Sequence, residues 1–361
     1  MTLTLTGKKA ALGVWTHLIE PGDPPPARVR QAPIKALKEL VAGSLVDERA
    51  ERWRMRYEGL SPEILAGTFP FNGHFLIPGD AHWPLAMGDL GDVRPLGLWV
   101  LGHTEVLTLP AVSIVGARAA TNYGTSVATE LSRGLASSHV LVAGGAYGID
   151  AAVHRAALAH HGRTIVVLAG GADRVYPAAH RELFDAVLIS GGAIVSEQPP
   201  GAAPARHRFL SRNRIIAALG EVTIVIEAGY RSGALSTARW AAEIGRDVGA
   251  VPGPVTSALS QGTNQLLRDY GICITRANDI RELIGGIVPD TLPVVSETTY
   301  DRLSEREKRV WNALTPSSVS STPAVAREAG LTASEAMSAL EFLRTMGLAR
   351  SIAGRWIRVK S

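Results

Sequence analysis

Apolar positions change their period several times along this chain. Over the first 60 residues they recur at intervals of three and four, as in KKAALGVWTHLIE, VRQAPIKALKELVAG and ERWRMRYEGLSPEILAG. That spacing predicts helices, interrupted by the breaker PGDPPP at residues 21–26. Between residues 74 and 110, HFLIPGDAHWPLAM and PLGLWVLG hold short apolar runs between glycines and prolines. These predict strands lying against the domain that follows, with a boundary near residue 110. From residue 111 strand-length apolar runs alternate with amphipathic helical stretches. VSIVGA, VLVAGG, TIVVLAGG, AIVSE and VTIVIEA read as strands; NYGTSVATELSRGLAS, IDAAVHRAALAHHG, AHRELFDAVLIS and SGALSTARWAAEIG read as helices. DVGAVPG, TNQLLRDYG, ICIT and DIRELIGGI close the series. This alternation predicts an α/β domain with a parallel sheet covered on both faces. Its ligand crevice is expected at the carboxyl ends of the strands.

The tail has a different rhythm. After a linker, SEREKRVWNALT, STPAVAREAG and TASEAMSALEFLRTMG predict three helices, with caps from Ser304 and Glu307 and from Thr332 and Ser334. ARSIAGRWIRVK predicts a hairpin with Gly354 at its tip. Three helices and a hairpin make a winged-helix pattern. No repeat or low-complexity segment interrupts the chain.

Candidate chemistry gathers at the strand ends. Four of them carry glycine-rich loops: VGARAATNYG with Gly116 and Arg118, AGGAYGID with Gly144, Gly145, Gly148 and Asp150, LAGGADRVYP, and EAGYRSGALST with Arg231, Ser232 and Gly233. Glycine admits close approach of a ligand to the backbone, and a helix starting just after such a loop offers N–H groups to phosphate. The stretch RHRFLSRNR adds Arg206, His207, Arg208, Arg212, Asn213 and Arg214 around Phe209, without an acid. It reads as a loop of guanidiniums feeding a helix, a place to hold phosphates with an aromatic platform for a base. Structural roles stand beside these readings: Arg118 as a helix cap, Arg214 paired to Glu197 or Glu227. Asp150 and His154, four apart on a helix, are expected to reach one another.

Composition narrows the classes. The 361 residues carry a net charge of +4, a pI near 9.3 and 46% hydrophobic residues. They suit a large globular core and permit, without requiring, a polyanionic partner. No apolar run is long enough to span a membrane, and the start of the chain lacks a signal peptide, so a soluble cytoplasmic protein is expected. Cys273 is the one cysteine and is expected buried in a strand. GGAYG lacks the GxGxxG spacing and no GxxxxGK[ST] occurs, so the markers of dinucleotide and P-loop sites are missing. Metal-ligand spacing and nucleophile elbows are missing too, so no cofactor is expected.

Taken in order, VSIVGARAATNYG, GGAYGIDAAVHRAAL, TIVVLAGGADRVYP, SEQPPG, FLSRNRIIA, SGALSTARWA and PGPVTSALSQGTNQLLRDYG resemble the DNA-processing protein A family, DprA or Smf. The likeness is dense over residues 74–285. It implies a helical N-terminal (SAM-like) domain at 1–73, an extended Rossmann-like DNA-binding domain at 74–288, a linker at 289–303 and a winged-helix domain at 304–361. It further implies a cytoplasmic homodimer without enzymatic activity that protects incoming single-stranded DNA and helps load the RecA recombinase during natural transformation. By motif, DNA contacts are implied at Gly116, Arg118, Gly144, Gly145, Gly148, Arg206, Phe209, Arg212, Asn213, Arg214, Arg231, Ser232 and Gly233. Three positions depart from the family pattern: Ala143 replaces a serine, Tyr147 replaces an arginine, which removes one positive charge while leaving a ring that could stack, and Leu210 stands where proline is common; the N-terminal region also lacks a glycine-centred helix–hairpin–helix turn. In the tail, the expected recognition helix holds Glu335, Glu341 and only Arg344, whereas Arg355, Arg358 and Lys360 make the hairpin basic. That charge pattern suits a protein-contact module better than a base reader. A nucleoside-monophosphate glycosidase of the cytokinin-activating type is the rival reading. It requires a PGGxGT loop, and the nearest stretch here, EAGYRSGALST, lacks it.

Overall fold

In a computed structural model that describes residues 2–285, 300, 302–316 and 318–359, the apolar runs of the middle of the chain pair as one sheet of nine strands. In chain order they are β1 (His74–Leu76), β2 (Leu98–Gly102), β3 (Ala111–Val115), β4 (Val140–Ala143), β5 (Thr164–Val167), β6 (Ala193–Ser196), β7 (Val222–Val225), β8 (Asp247–Ala250) and β9 (Ile272–Cys273). Across the sheet the order is β9-β8-β7-β3-β4-β5-β6-β2-β1. β3 to β9 run parallel, and β2 and β1 close one edge antiparallel. Strands β3 to β7 are buried at every position, which explains their unbroken apolar sequences.

Seven helices follow or connect these strands: α1 (Asn122–Leu135), α2 (Ile149–Ala159), α3 (Arg181–Ile189), α4 (Arg206–Leu219), α5 (Gly233–Glu243), α6 (Gln261–Asp269) and α7 (Ala277–Leu283). From β3 the chain steps outward through β4, β5 and β6. Helix α4 then carries it back to β7, on the other side of β3. The strand order reverses there, and the ends of β3 and β7 diverge into a crevice. Ile215, Ile216, Ala217 and Ala218 of α4 pack with Ala234, Ala238 and Ala241 of α5 on one face of the sheet. Leu131, Leu135, Ile149 and Val153 of α1 and α2 cover the other.

Two sequence expectations are corrected here. The residues between 74 and 110 do not lie against the sheet. β1 and β2 are its antiparallel edge, because Trp99, Val100 and Leu101 pair with Ser196, Val195 and Ile194. Cys273 is exposed, not buried. β9 is an edge strand of two residues, both exposed.

The N-terminal helices Gly7–Leu18, Pro33–Val41 and Ala50–Glu58 share one apolar cluster with the β1–β2 edge. Trp99 is its pivot: the rings of Phe69, Phe71 and Phe75 pack on it, and its indole N–H donates to Thr16 Oγ1 at 3.3 Å. Residues Met1–Val288 form one compact unit and Pro289–Ser361 another. In the second, helices Glu305–Ala313, Thr322–Ala329 and Ala333–Thr345 and the hairpin Ala349–Ile352/Arg355–Arg358 enclose Val310, Leu340, Leu343 and Trp356. Ser304 with Glu307 and Thr332 with Glu335 form reciprocal caps, and Ala353 and Gly354 turn the hairpin with positive φ. Most of the expected linker at 289–303 falls outside the described residues.

Candidate nucleic-acid interface

The stretch RHRFLSRNR is not a loop. It forms the first two and more turns of α4, whose helix begins at Arg206. The sequence hid this because α4 has hardly any amphipathic periodicity: its first half faces a cleft and its second half is buried all round. As a result the arginines project from a rigid helix in several directions, and their roles diverge.

Between the ends of β3 and β7 and the start of α4 lies a cleft of about 740 Å³. Gly116 and Arg118 line it from β3, Arg206, Phe209, Arg212 and Asn213 from α4, and Arg231, Ser232 and Gly233 from the turn after β7. Arg118, Arg206 and Arg231 are exposed and make no hydrogen bond or ion pair with another described residue. The guanidinium of Arg118 lies over the Phe209 ring at 4.9 Å, and that of Arg212 sits 5.9 Å from the same ring. Asn213 Nδ2 donates to Gly233 O at 3.1 Å and ties α4 to the start of α5.

Arg212 is the buried member of the group. Its Nη1 donates to the carbonyls of Gly144 (2.9 Å) and Val167, at the ends of β4 and β5. Nε is buried without a partner, and no described group bonds Nη2. Burial lowers its pKa to about 10, against the pull of Asp150, so it stays charged at neutral pH. A fixed guanidinium with unused donors in a low-dielectric wall is a strong phosphate partner.

Helix ends sort the glycine loops. The N-terminus of α1 is already supplied with an acid: Glu227 accepts from Thr121 N at 2.9 Å and from Thr121 Oγ1 at 2.5 Å. Ser232 caps α5. No side chain caps α4 and its first turn holds no acid, so the N–H groups of Arg206 and His207 and the helix dipole remain available to an anion, those of Arg208 and Phe209 being bonded to Ala205 O. Gly144, Gly145 and Gly148 do not line the cleft, although Ala146 of the same loop and Asp150 do. Its N–H groups at Gly144 and Ala146 are taken by Asp150 Oδ2 at 3.1 and 3.2 Å. Gly144 instead makes room for Arg212, since an added Cβ there would collide with its guanidinium. Gly148, at φ +74°, would drive a Cβ into the carbonyls of Ala117 and Arg118. These glycines support the cleft without facing it. Burial raises the Asp150 pKa, opposed by Arg212 and by the two N–H bonds.

Asp150 and His154 do not bond to each other. His154 Nδ1 meets Thr164 Oγ1 at 2.7 Å, and Thr164 donates to Leu141 O. His154 is fully buried, and its pKa falls to about 3 because burial disfavours its charge. Arg214 also departs from the phosphate role: its side chain is 1% exposed and forms a two-pronged pair with Glu197 at 2.7 and 2.8 Å, with Nε bonded to Val93 O. Its direction on the helix points it into the interior, so the paired reading holds.

Two contributors escaped the sequence reading. Glu20, from the N-terminal helices, accepts from Arg208 at 2.9 and 3.0 Å and from His207 at 3.3 Å, with Arg56 also 3.3 Å away. Burial works against its charge, but these partners hold its carboxyl below the usual range. Nothing in a sequence separation of 188 residues signals that contact. Tyr176, after β5, lines the cleft beside Phe209, 5.7 Å between rings. Its place in a glycine-rich strand end was the available signal. Among the described residues no cluster of His, Cys, Asp and Glu could hold a metal.

The family model for DNA recombination-mediator protein A matches residues 74–285. A relative in Mycobacterium tuberculosis is 39% identical over 363 residues, covering 95% of this chain and 93% of that protein. The X-ray structure of DNA processing protein A from Streptococcus pneumoniae superposes with a TM-score of 0.63 at 30% identity, over 78% of this chain and 98% of that one. A structure of DNA processing protein A from Helicobacter pylori, described for its single-stranded DNA binding mode, gives a TM-score of 0.53 at 29% identity, over 59% of this chain and 96% of that one.

Proposed function

The chain belongs to the DNA recombination-mediator protein A family, and from that premise we propose that it binds single-stranded DNA in the cleft between β3, β7 and α4. One observation carries the reading: Arg118, Arg206, Arg212 and Arg231 converge with Phe209 at a helix N-terminus that has no side-chain cap and no acid in its own first turn, with Asp150 the single acid of the cleft lining. Phosphates take the guanidiniums and the first-turn N–H groups of α4. Bases meet the aromatic wall of Phe209 and Tyr176, which only unpaired bases can reach by stacking. The resulting affinity depends on salt and not on sequence.

The test is fluorescence anisotropy with labelled single and double strands at two salt concentrations. The reading expects preference for single strands and affinity falling steeply with salt. Equal binding to duplex, or unchanged binding by Arg118→Ala and Arg231→Ala together, would overturn it. The rival glycosidase activity is checked by incubation with AMP; free adenine would revive it.

The family supports finer expectations. We assign this protein to DNA processing in natural transformation, in the cytoplasm, protecting incoming strands and helping RecA load onto them, without a catalytic step of its own. Among the described residues no helix is long and apolar enough to cross a membrane. Homodimer formation is testable by light scattering on the full chain. Residues 1–73 are read as the SAM-like domain, 74–288 as the DNA-binding domain, and 304–361 as a winged-helix module. Three helices and a hairpin support the last of these. Its third helix offers no free cation toward DNA, since Arg344 pairs with Glu341. On the hairpin, Arg358 lies over Trp311 at 4.3 Å. Lys360 falls outside the described residues. These features favour a protein-contact role for the module over base reading.

A further inference from the structure

We propose that a base-stacking path formed by Tyr176 and Tyr147 leads unpaired DNA out of the arginine cleft over the ends of β4 and β5. The proposal rests on the cleft being a single-strand site. Tyr176 is 47% and Tyr147 51% exposed, so each ring presents a face to solvent. Each is braced: Tyr176 packs on Phe209, and Tyr147 packs edge-on against His180 at 4.8 Å. His180 is itself fixed, buried and bonded through Nδ1 to Gly145 O at 2.9 Å. Ring braced on one side and open on the other is what a stacking platform requires, because a base then meets a surface already ordered. Continuity supports the direction. Tyr176 lines the cleft beside Phe209, and Tyr147 lies in the loop that Arg212 anchors through Gly144. Arg174, two residues before Tyr176, is exposed and its guanidinium bonds no described residue, so a phosphate has a cation along the way.

The opposite exit, past β7, offers Tyr230. It is 70% exposed and, among the described residues, packs against no other ring. It serves as the control for direction.

The experiment uses the full chain and oligonucleotides of about 6 and about 20 nucleotides with 2-aminopurine placed at successive positions. Stacking on a tyrosine changes the fluorescence of the probe base. Tyr147→Ala should lose the signal at positions outside the cleft and weaken the long oligonucleotide about tenfold, leaving the short one unchanged. Tyr176→Ala should weaken both. Tyr147→Phe and Tyr176→Phe keep the ring and should bind as the parent, which separates stacking from misfolding. Tyr147→Arg should retain affinity, lose the stacking signal and steepen the salt slope by about 0.7, the mark of one added phosphate contact. If Tyr147→Ala leaves the signal and the long-strand affinity intact, or if Tyr230→Ala removes them instead, the path is wrong. Failure of the cleft itself would show separately, as unchanged binding in Arg118→Ala.

Discussion

Arg118 and Arg212 share the ring of Phe209 but carry different loads. Arg118 bonds to no described residue, so Arg118→Ala should leave thermal unfolding unchanged while weakening single-stranded DNA about tenfold for every sequence alike. Arg212 holds the ends of β4 and β5, and its loss strands two carbonyls and the buried Asp150. Arg212→Ala should therefore lose DNA binding and also about 2 kcal/mol or more of stability, measured by denaturant unfolding. Gly144→Ala leaves every arginine in the sequence but pushes the Arg212 guanidinium aside. It should mimic the binding defect, and parent-like affinity would refute the anchoring role of that glycine. His154 sets a pH dependence. Its native pKa near 3 lies below the ordinary 6.5 of the unfolded chain. The unfolded state therefore takes up a proton first as pH falls, and this contribution to stability, complete above about 6.5, is lost progressively down to about 3. His154→Gln should flatten that part of the stability profile.

At the scale of elements, α4 decides the outcome. It is the crossover that returns the chain to β7, its second half lies buried in the core, and its first half forms one wall of the cleft. Its outer corner is held by Glu20 through Arg208, His207 and Arg56. Glu20→Gln keeps the shape and removes the charge. It should lower the midpoint of thermal unfolding, by a destabilisation of about 1 kcal/mol given the partial exposure of the pair. An unchanged midpoint would mean the N-terminal helices are held by the Trp99 cluster alone.

For the whole molecule, the relevant quantity is a cation count on one cleft, not the net charge of +4. Other arginines of the chain are spent on acids elsewhere: Arg28 on Glu39, Arg49 on Asp47, Arg214 on Glu197. Removing residues 300–361 should leave single-strand affinity and its salt slope nearly unchanged, since the cleft lies wholly within Met1–Val288. A large loss that depends on DNA sequence would instead make the tail a base reader.

Much of the architecture could be read in advance. Unbroken apolar strands alternating with helices can only bury themselves as a parallel sheet with two covered faces, and β3 to β7 do so. Glycine and arginine at strand ends located the crevice for the same reason. What sequence could not resolve was direction. Arg206, Arg212 and Arg214 look equivalent in a string, but on a helix each step turns about 100°, so one faces the cleft, one is buried in its wall and one is locked on Glu197. The glycines of GGAYG read as ligand contacts, yet Asp150 takes the N–H groups of Gly144 and Ala146 and none of the three glycines lines the cleft. Local periodicity therefore determined most of the elements, though not the start of α4, and glycine and arginine at strand ends marked the crevice proposed to meet a polyanion. Only the packing of distant segments decided which cations remain unpaired to meet it, because pairing depends on neighbours up to 188 residues away.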